Sequence, residues 1–262
     1  MYSKFLFILR KAWHSHVLFW GKNETLASQS RNCIVLAPHP DDESIGFGAT
    51  IARKIQHGSK VRIAVATDGR YSQISEKIPV DELIELRKKE FIEAVTVLGV
   101  DKESIYFFDE EDTKINDHRL RENFRNYVSS APFKVEEIIS TSWNDSHQDH
   151  QACAKIAKDI SLEMHITFRA CPIYWWADGP TRFHRGQYPY FKRQLGKFLD
   201  LYRAFFNKGY VVSSKGYEDI RKLAVSKYLS QTTNLTGEES WSCLDKYWLS
   251  TFDRNKEYFI EQ

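Results

Sequence analysis

The sequence predicts an α/β fold of the Rossmann-like type, with a doubly wound and mostly parallel sheet. Short apolar runs alternate with helical patterns of about ten to eighteen residues, which is typical of strands covered by helices on both faces. The chain has 262 residues, of which 42% are hydrophobic and 27% charged. These values are ordinary for a globular protein and exclude a disordered chain. The length suits one large domain.

Five strands are predicted from apolar runs that end at turn signals. The first, 33–37, stops at Pro38, and the second, 61–66, enters the turn Thr67-Asp68-Gly69-Arg70. The others cover 104–108, 135–141 and 166–174, and a later strand is expected near 211–213. In a doubly wound sheet we expect the first five in the order 3-2-1-4-5, which places strands 1 and 4 side by side.

Helical patterns fill the intervals between these strands. They cover 43–57, 81–98, 118–129 and 149–164, with stop signals at Gly58 and Gly99 after the first two, and a further helix is expected over 218–229. The first helix contains Gly46 and Gly48, and each costs about 1 kcal/mol relative to Ala in a helix interior. We expect close packing of this helix on a strand to compensate.

Two loops contain the residues best suited to chemistry. The first strand is followed by His39, Asp41 and Asp42, and the fourth by His147, Asp149 and His150. Because the carboxyl ends of adjacent parallel strands meet at the switch point of the sheet, we expect the fold to bring these two loops close together. Imidazole and carboxylate together suit Zn²⁺ or another divalent first-row metal. Either loop alone also fits a helix start with acidic residues, but the two together favour a metal site.

The two ends of the sequence differ from its centre. Residues 1–30 are predicted to form an N-terminal amphipathic extension, and 31–262 the main domain. The basic, aromatic stretch 1–20 packs on this domain, contacts a membrane surface or meets a partner, and the three readings stay open. An insertion or subdomain is expected over 175–210. Its segment 181–208 has seven Lys/Arg against one acid, which indicates a solvated basic face or a site for phosphate or anionic lipid headgroups.

Charge and cysteine content narrow the classes of function. The formal net charge of +2 gives no reason to expect nucleic-acid binding. None of the four cysteines lies in a CxxC pair, which excludes a zinc ribbon and argues against a disulfide framework. No apolar run reaches the roughly 18 residues that span a bilayer. The sequence therefore predicts a cytoplasmic protein, with peripheral binding to the inner face of the membrane through 1–20 and 181–208 as the alternative.

The motifs His39-Pro40-Asp41-Asp42-Glu43 and His147-Gln148-Asp149-His150 closely resemble those of the PIG-L/LmbE family of zinc-dependent N-acetylglucosaminyl deacetylases. The Thr67-Asp68-Gly69 turn, Arg87-Lys88-Lys89-Glu90 and Lys227 with Ser230-Gln231 agree more weakly. The resemblance covers 33–160 well and 211–231 loosely. It is specific for the family rather than for a substrate.

The resemblance implies a role for each matching residue. His39, Asp42 and His150 would hold the metal, Asp41 would be the general base, and His147 would stabilise the oxyanion or protonate the leaving amine, with Asp149 orienting it. Arg87 matches an arginine that contacts the sugar. Arg70, which falls where several relatives carry an acid, is a further candidate substrate contact. Apart from the resemblance, Trp175 or Trp176 after the fifth strand is a candidate platform for a sugar ring.

The motifs and the resemblance together predict a zinc-dependent hydrolase that removes the acetyl group from an N-acetylated amino sugar similar to N-acetylglucosamine. The basic segment extends this hypothesis to a nucleotide-linked or lipid-pyrophosphate-linked sugar. Two alternatives stay open. One is a hydrolase of another acyl amide, such as a glycoconjugate antibiotic or a thiol conjugate, and the other is a non-catalytic sugar-binding protein.

Overall fold

The computed structural model describes residues 2–73, 75–178 and 209–260. Its strands are β1 (Lys22–Asn23), β2 (Cys33–Ala37), β3 (Val61–Thr67), β4 (Ile105–Glu110), β5 (Glu137–Thr141), β6 (Thr167–Cys171), β7 (Gly209–Ser213) and β8 (Lys256–Ile260). Its helices are α1 (Tyr2–Trp20), α2 (Thr25–Gln29), α3 (Asp42–Gln56), α4 (Val80–Val97), α5 (Asp117–Ser129), α6 (Gln148–Glu163), α7 (Tyr174–Asp178), α8 (Glu218–Val225), α9 (Leu229–Thr232) and α10 (Lys246–Ser250).

The strands of the described ranges form one sheet in the order β1-β7-β8-β6-β5-β2-β3-β4. The predicted α/β class is confirmed, and the five predicted strands are parallel neighbours in the predicted order 3-2-1-4-5, as β4-β3-β2-β5-β6. The complete order differs from the prediction, because the sheet continues beyond β6. There β8 runs antiparallel to both β6 and β7, and β1 pairs with β7 in parallel. The pattern predicted β7 but neither β1 nor β8.

The central strands are buried on both faces, which explains their continuous apolar sequence. All five residues of β2 are buried. One layer, containing α3, α4 and α8, covers one face of the sheet with side chains such as Phe47, Phe91 and Ala224. The other layer, containing α5 and α6, covers the opposite face with Phe124 and Ile156. Since these strands are parallel and covered by helices on both faces, their carboxyl ends lie together along one edge of the sheet.

Helix α3 is kinked at Phe47, where φ is −147° and ψ is 25°. The kink frees backbone N–H groups that a regular helix would satisfy. The Glu257 carboxylate of β8 accepts hydrogen bonds from the N–H groups of Ala49 and Thr50, at 2.9 and 2.7 Å. A Cβ atom at Gly46 would lie 3.1 Å from Cys171 Sγ of β6. The predicted close packing of this helix on a strand is therefore confirmed.

The N-terminal helix contacts the rest of the chain through its aromatic residues. Trp13 of α1 is fully buried and its ring meets the rings of Trp175 and Trp176 at 4.8 and 5.4 Å. The division of the chain at residue 30 stays a prediction. Most of the expected 175–210 insertion, with the whole basic segment 181–208, lies outside the described residues. Among the helices of the described ranges, none has the length and apolar character needed to cross a membrane.

Candidate active site

The two motif loops lie side by side at the carboxyl edge of the sheet. Strand β2 pairs in parallel with β5, so the loop after Ala37 and the loop after Thr141 emerge next to each other. Helix α3 begins at Asp42 directly after the first loop, and α6 begins at Gln148 in the second. The sheet topology therefore brings His39 and His150 together across 111 residues of sequence, with ring centroids 5.3 Å apart.

One carboxylate oxygen lies between two imidazoles. Asp42 Oδ2 is 3.2 Å from His39 Nδ1 and 3.2 Å from His150 Nε2. On its other side, His39 Nε2 is 3.2 Å from Asp149 Oδ2 and 3.3 Å from Asp112 Oδ1. His150 is fully buried, and its Nε2 atom makes no hydrogen bond with the described residues. These groups form a compact cluster of nitrogen and carboxylate donors.

The donor cluster fits a zinc ion. In a tetrahedral zinc site with bonds of about 2.1 Å, ligand atoms lie about 3.4 Å apart, close to the 3.2 Å that separates Asp42 Oδ2 from each of the two imidazole nitrogens. Among the described residues, two sets of donor atoms lie within 4.8 Å of one another throughout, one of His39, His147 and His150, and one of His39, Asp112, His147 and Asp149, and Asp42 belongs to neither. His39 is common to both of these sets. A buried imidazole nitrogen without a hydrogen bond is what a metal ligand requires.

The charges of the cluster also favour a cation. Burial alone would lower the pKa of His150, but the Asp42 and Asp145 carboxylates raise it to about 9. Burial likewise opposes the charged form of His39, yet hydrogen bonds to Asp112, Asp149 and Asp42 raise its pKa well above its usual range. Four carboxylates thus surround two imidazoles. A divalent cation neutralises such an excess of buried negative charge.

Asp41 lies at the start of α3 in a strained conformation. Its φ is 132°, in the region that L-residues rarely adopt. Its N–H donates a hydrogen bond to Glu43 Oε2 at 3.2 Å, and Glu43 Oε1 accepts another from the Tyr228 hydroxyl at 2.5 Å. Burial raises the pKa of Asp41 to about 7, against the lowering effect of the Arg87 guanidinium. A bound cation would act in the same direction as Arg87.

His147 and Asp149 are close together, but the structure does not pair their side chains. His147 Nδ1 accepts a hydrogen bond from the backbone N–H of Asp149 at 3.3 Å, so Nε2 carries the ring proton in the neutral form. Burial and the neighbouring His39 lower the pKa of His147 to about 4. The Asp149 carboxylate instead meets His39 Nε2 and accepts from the Thr113 N–H. The expected orientation of His147 by this carboxylate is therefore corrected, since the side chain of Asp149 is directed to His39.

The structure separates the three predicted substrate contacts. Arg87 lies at the floor of the cleft, with Nη2 3.7 Å from Asp41 Oδ2, and its Nε and Nη1 atoms are buried without a hydrogen-bond partner among the described residues. Arg70 does not line the cleft, because its guanidinium pairs with Asp68 at 2.6 Å. Trp175 does not line it either, because its ring is buried against Trp13 and only 5% exposed. Arg70 and Trp175 are thus corrected as candidates.

Several residues of the site were not predicted from the sequence. Asp145 is fully buried, and its Oδ2 is 2.9 Å from His150 Nδ1, while Oδ1 accepts from the Trp175 N–H. A histidine ligand usually donates its second nitrogen to a carboxylate, and Asp145 lies in the motif loop, so this signal was available. Asp112 lies in an acidic loop after β4, again at the carboxyl edge. Tyr174 and Trp248, which line the cleft, gave no comparable signal.

The cleft above this cluster has a volume of about 260 Å³. We call its charged lower part the floor, formed by His39, Asp41, Asp42, Arg87, Asp112 and His147. We call its outer part the rim, formed by Ser72, Tyr174, Gln231, Ser242, Leu244 and Trp248. The floor comes from the motif loops, α4 and the loop after β4, whereas most of the rim comes from the C-terminal part of the chain. The site therefore combines two regions distant in sequence.

Comparison with known proteins finds a family match that covers the two motif loops of the floor. Residues 34–161 match the sequence profile of the PIG-L family, described as GlcNAc-PI de-N-acetylase. Both motif loops lie inside the matched range, and the C-terminal residues of the rim lie outside it.

Two curated relatives match over shorter stretches. A 1D-myo-inositol 2-acetamido-2-deoxy-alpha-D-glucopyranoside deacetylase of Kineococcus radiotolerans is 40% identical over 79 residues, which are 28% of this chain and 21% of that protein. A mycothiol S-conjugate amidase of Streptomyces coelicolor is 39% identical over 77 residues, 27% of this chain and 26% of that protein. The matches therefore span about a quarter or less of the length of these relatives.

The fold as a whole is shared with solved structures. A deacetylase of the teicoplanin biosynthetic pathway superposes with a TM-score of 0.61 at 18% identity, covering 87% of this chain and 96% of the other. At this level of identity the likeness concerns the fold alone.

Proposed function

Since the resemblance to the PIG-L/LmbE family is confirmed and residues 34–161 form a PIG-L family domain, we propose that this protein is a zinc-dependent hydrolase that removes the acetyl group from an N-acetylated amino sugar. The observation that carries the proposal is the buried cluster in which Asp42 Oδ2 lies 3.2 Å from both His39 and His150. His39, Asp42 and His150 are the proposed zinc ligands, and Asp41 stands beside them.

Amide hydrolysis requires an activated water and stabilisation of the tetrahedral oxyanion. Zinc supplies Lewis acidity, which makes a water molecule more acidic and polarises a carbonyl oxygen. Asp41, held in place by its backbone bond to Glu43, takes the proton of the attacking water and passes it to the leaving nitrogen as the C–N bond breaks. His147, neutral because burial lowers its pKa to about 4, donates from Nε2 to the developing oxyanion. Arg87, whose Nε and Nη1 atoms have no hydrogen-bond partner among the described residues, positions the sugar hydroxyls.

The proposal is tested by acetate release from N-acetylglucosamine and its glycosides with zinc-loaded protein. We expect Asp41→Asn to retain zinc and lose turnover by about 10²- to 10⁴-fold, because it lacks the general base. We expect His150→Ala to lose the metal itself. His57→Ala is the matched control, since His57 lies at the end of α3 away from the site. A fully active Asp41→Asn variant would show that Asp41 is not the base.

A second candidate function follows from the curated relatives. The mycothiol S-conjugate amidase matches at nearly the same identity as the deacetylase. The stretch that this chain shares with both relatives therefore supports the hydrolysis of an amide bond more strongly than it supports the removal of any one acyl group. Zinc-bound protein that releases no acetate from any N-acetylated sugar, but cleaves another acyl amide, would establish this candidate in place of the first.

The proposal of a nucleotide-linked or lipid-pyrophosphate-linked sugar rests on the basic segment 181–208, which lies outside the described residues. Membrane contact through this segment and through residues 1–20 is proposed on the same grounds. A cytoplasmic location is proposed from the cysteine content and from the lack of an apolar run long enough to span a bilayer. Acetate release from a nucleotide diphosphate conjugate that is no faster than from a simple glycoside would contradict the phosphate-linked form.

A further inference from the structure

The peptide group between Pro40 and Asp41 sets the direction of the proposed general base. The torsion φ of Asp41 is the rotation about its N–Cα bond, so it fixes the orientation of this peptide relative to the Asp41 side chain. At 132° it lies in a region that L-residues rarely adopt. Such a conformation persists only where the surrounding structure holds it. The groups that bond to this peptide therefore decide where the Asp41 carboxylate lies.

This peptide is held at both of its polar ends. Its N–H, which belongs to Asp41, donates to Glu43 Oε2 at 3.2 Å. Its carbonyl, which belongs to Pro40, accepts from Arg87 Nη2 at 2.7 Å. Glu43 lies in α3 directly after the loop, whereas Arg87 comes from α4. Because the two bonds act at opposite ends, a rotation of the peptide would break both. We call this pair of bonds the peptide clamp.

The guanidinium of Arg87 is enclosed by the protein. The residue is 1% exposed, and Pro40 is buried as well. Gly69 lies against the guanidinium, since a Cβ atom there would be 3.1 Å from Arg87 Nε and 3.3 Å from Nη2. The φ of Gly69 is 66°, a conformation that favours glycine. The Thr67-Asp68-Gly69 turn, which the proposed chemistry does not use, therefore leaves the room that Arg87 occupies.

The same turn also holds the beginning of the motif loop. The N–H and the hydroxyl of Thr67 both donate to the Pro38 carbonyl, at 3.0 and 2.9 Å. Two carbonyls of the loop, those of Pro38 and Pro40, are thus fixed by donors from outside the loop. A general base must be held within a fraction of an ångström of its working position. These bonds supply that restraint before any substrate binds.

The nitrogen atoms of Arg87 divide into two groups. Nη2 is bonded to the Pro40 carbonyl and lies 3.7 Å from Asp41 Oδ2. Nε and Nη1 have no hydrogen-bond partner among the described residues, and they are the atoms that the proposed function assigns to the sugar.

We propose that Arg87 is a positioning residue for Asp41, which acts through the Pro40 carbonyl and, together with Glu43, holds the strained peptide in place. This task is separate from any contact with the sugar and is carried out without substrate. The kinetic part of the inference rests on the proposed deacetylase function, whereas the peptide clamp itself does not.

The clamp is tested by amide hydrogen exchange of zinc-loaded protein in the absence of substrate. In Arg87→Met the buried Pro40 carbonyl loses its donor, so we expect the amides of residues 41–44 to exchange about five- to tenfold faster than in the parent protein. Lys89→Met is the matched control, since Lys89 is an exposed cation of the same helix. The amides of β5 report on overall stability and should exchange alike in all of these proteins.

Arg87→Lys guards against misfolding of the methionine variant, because it keeps a cation in the buried position. It lacks the planar fork of the guanidinium, so its amides at 41–44 should still exchange faster than those of the parent protein. Exchange at 41–44 equal to that of the parent, in either Arg87 variant, would overturn the proposal.

Turnover is scored separately, by acetate release at saturating substrate. We expect Arg87→Met to lower kcat about 100-fold, because a small displacement of the base has an effect of this size. A raised KM with unchanged kcat would assign Arg87 to sugar binding alone and would also overturn the proposal. If the parent protein releases no acetate while exchange at 41–44 depends on Arg87, the deacetylase function is rejected and the peptide clamp stands.

Discussion

At the scale of single residues, the site depends on side chains that do not touch the substrate. Asp145 is the strongest example, since it joins His150 to the beginning of α7 through hydrogen bonds of 2.9 to 3.0 Å. An imidazole held in this way presents its other nitrogen in one fixed direction. The position of His150 Nε2 toward Asp42 therefore follows from a carboxylate on the far side of the ring.

We expect Asp145→Asn to lower zinc affinity about 10- to 100-fold, because the amide cannot replace both the charge and the acceptor geometry around His150. Affinity is measured by competition with a chelator of known strength. Asp81→Asn serves as the control, since Asp81 is exposed in the first turn of α4. Unchanged zinc affinity in Asp145→Asn would show that His150 needs no carboxylate to orient it.

The Tyr228 hydroxyl, also buried, supports Asp41 through Glu43. We expect Tyr228→Phe to lower kcat about fivefold, because a buried hydrogen bond contributes about 1 kcal/mol and its loss leaves Glu43 less able to hold the strained Asp41 backbone. KM and zinc content should not change. Steady-state kinetics and metal analysis check this outcome.

Tyr127→Phe is the control for this variant, because the Tyr127 hydroxyl donates to the Ser104 carbonyl at 3.2 Å, away from the site. Equal losses of kcat in the two tyrosine variants would point to a general loss of stability. A loss confined to Tyr228→Phe, with KM unchanged, indicates that Tyr228 is a positioning residue.

At the scale of elements, the attachment of α1 depends on a histidine that must stay neutral. His14 is 1% exposed, and its Nε2 lies 2.8 Å from the Trp176 carbonyl while Nδ1 accepts from the Arg254 guanidinium at 2.6 Å. Burial, with the help of Arg254, lowers the pKa of His14 to about 3. Protonation would place two positive charges together in the interface between α1 and α7.

Because this pKa is lower in the folded than in the unfolded state, His14 contributes stability fully above its unfolded value of about 6.5 and loses it as pH falls toward 3. Acidification from neutral to about pH 5 should therefore remove about 2 kcal/mol from the free energy of unfolding. His14→Gln has no such titration. We expect its unfolding midpoint, followed by denaturant titration, to fall less steeply with acid than that of the parent protein, and parallel curves would contradict the assignment.

At the scale of the whole molecule, the features that could be predicted from the sequence are those that depend on which strands are neighbours in the sheet. Alternating apolar runs imply parallel strands, their order places the two motif loops together, and the cluster of His39, Asp42 and His150 follows. Trp175 was placed wrongly, because its side chain is buried by α1, and no pattern in residues 1–20 shows which surface that helix covers. Trp248 was not found, because its place at the rim depends on tertiary bonds such as the one from Leu244 to Gln231.

The missing strands have a similar cause. Residues 22–23 are too few to give a periodic signal. Residues 256–260 form a short run that no helix connects to a parallel strand, so the alternation of strands and helices that predicts the other strands does not include them. A strand that enters a sheet antiparallel, between two others, is specified by its neighbours rather than by its own sequence.

The position of β8 has a consequence for the order in which the molecule is assembled. In the described residues, β1 pairs with β7, β7 pairs also with β8, and β8 joins this group to β6. The residues of β1 are synthesised before their place in the sheet exists, because β8 joins β1 and β7 to β6 only after residue 256 has been added. Trp13 of α1 likewise stays uncovered until α7 supplies Trp175 and Trp176, which follow the central strands β2 to β6 in the chain. The Glu257 carboxylate, which takes up the free N–H groups of α3, arrives with β8. The helix that begins at Asp42 therefore reaches its final form only after residue 257 has been added.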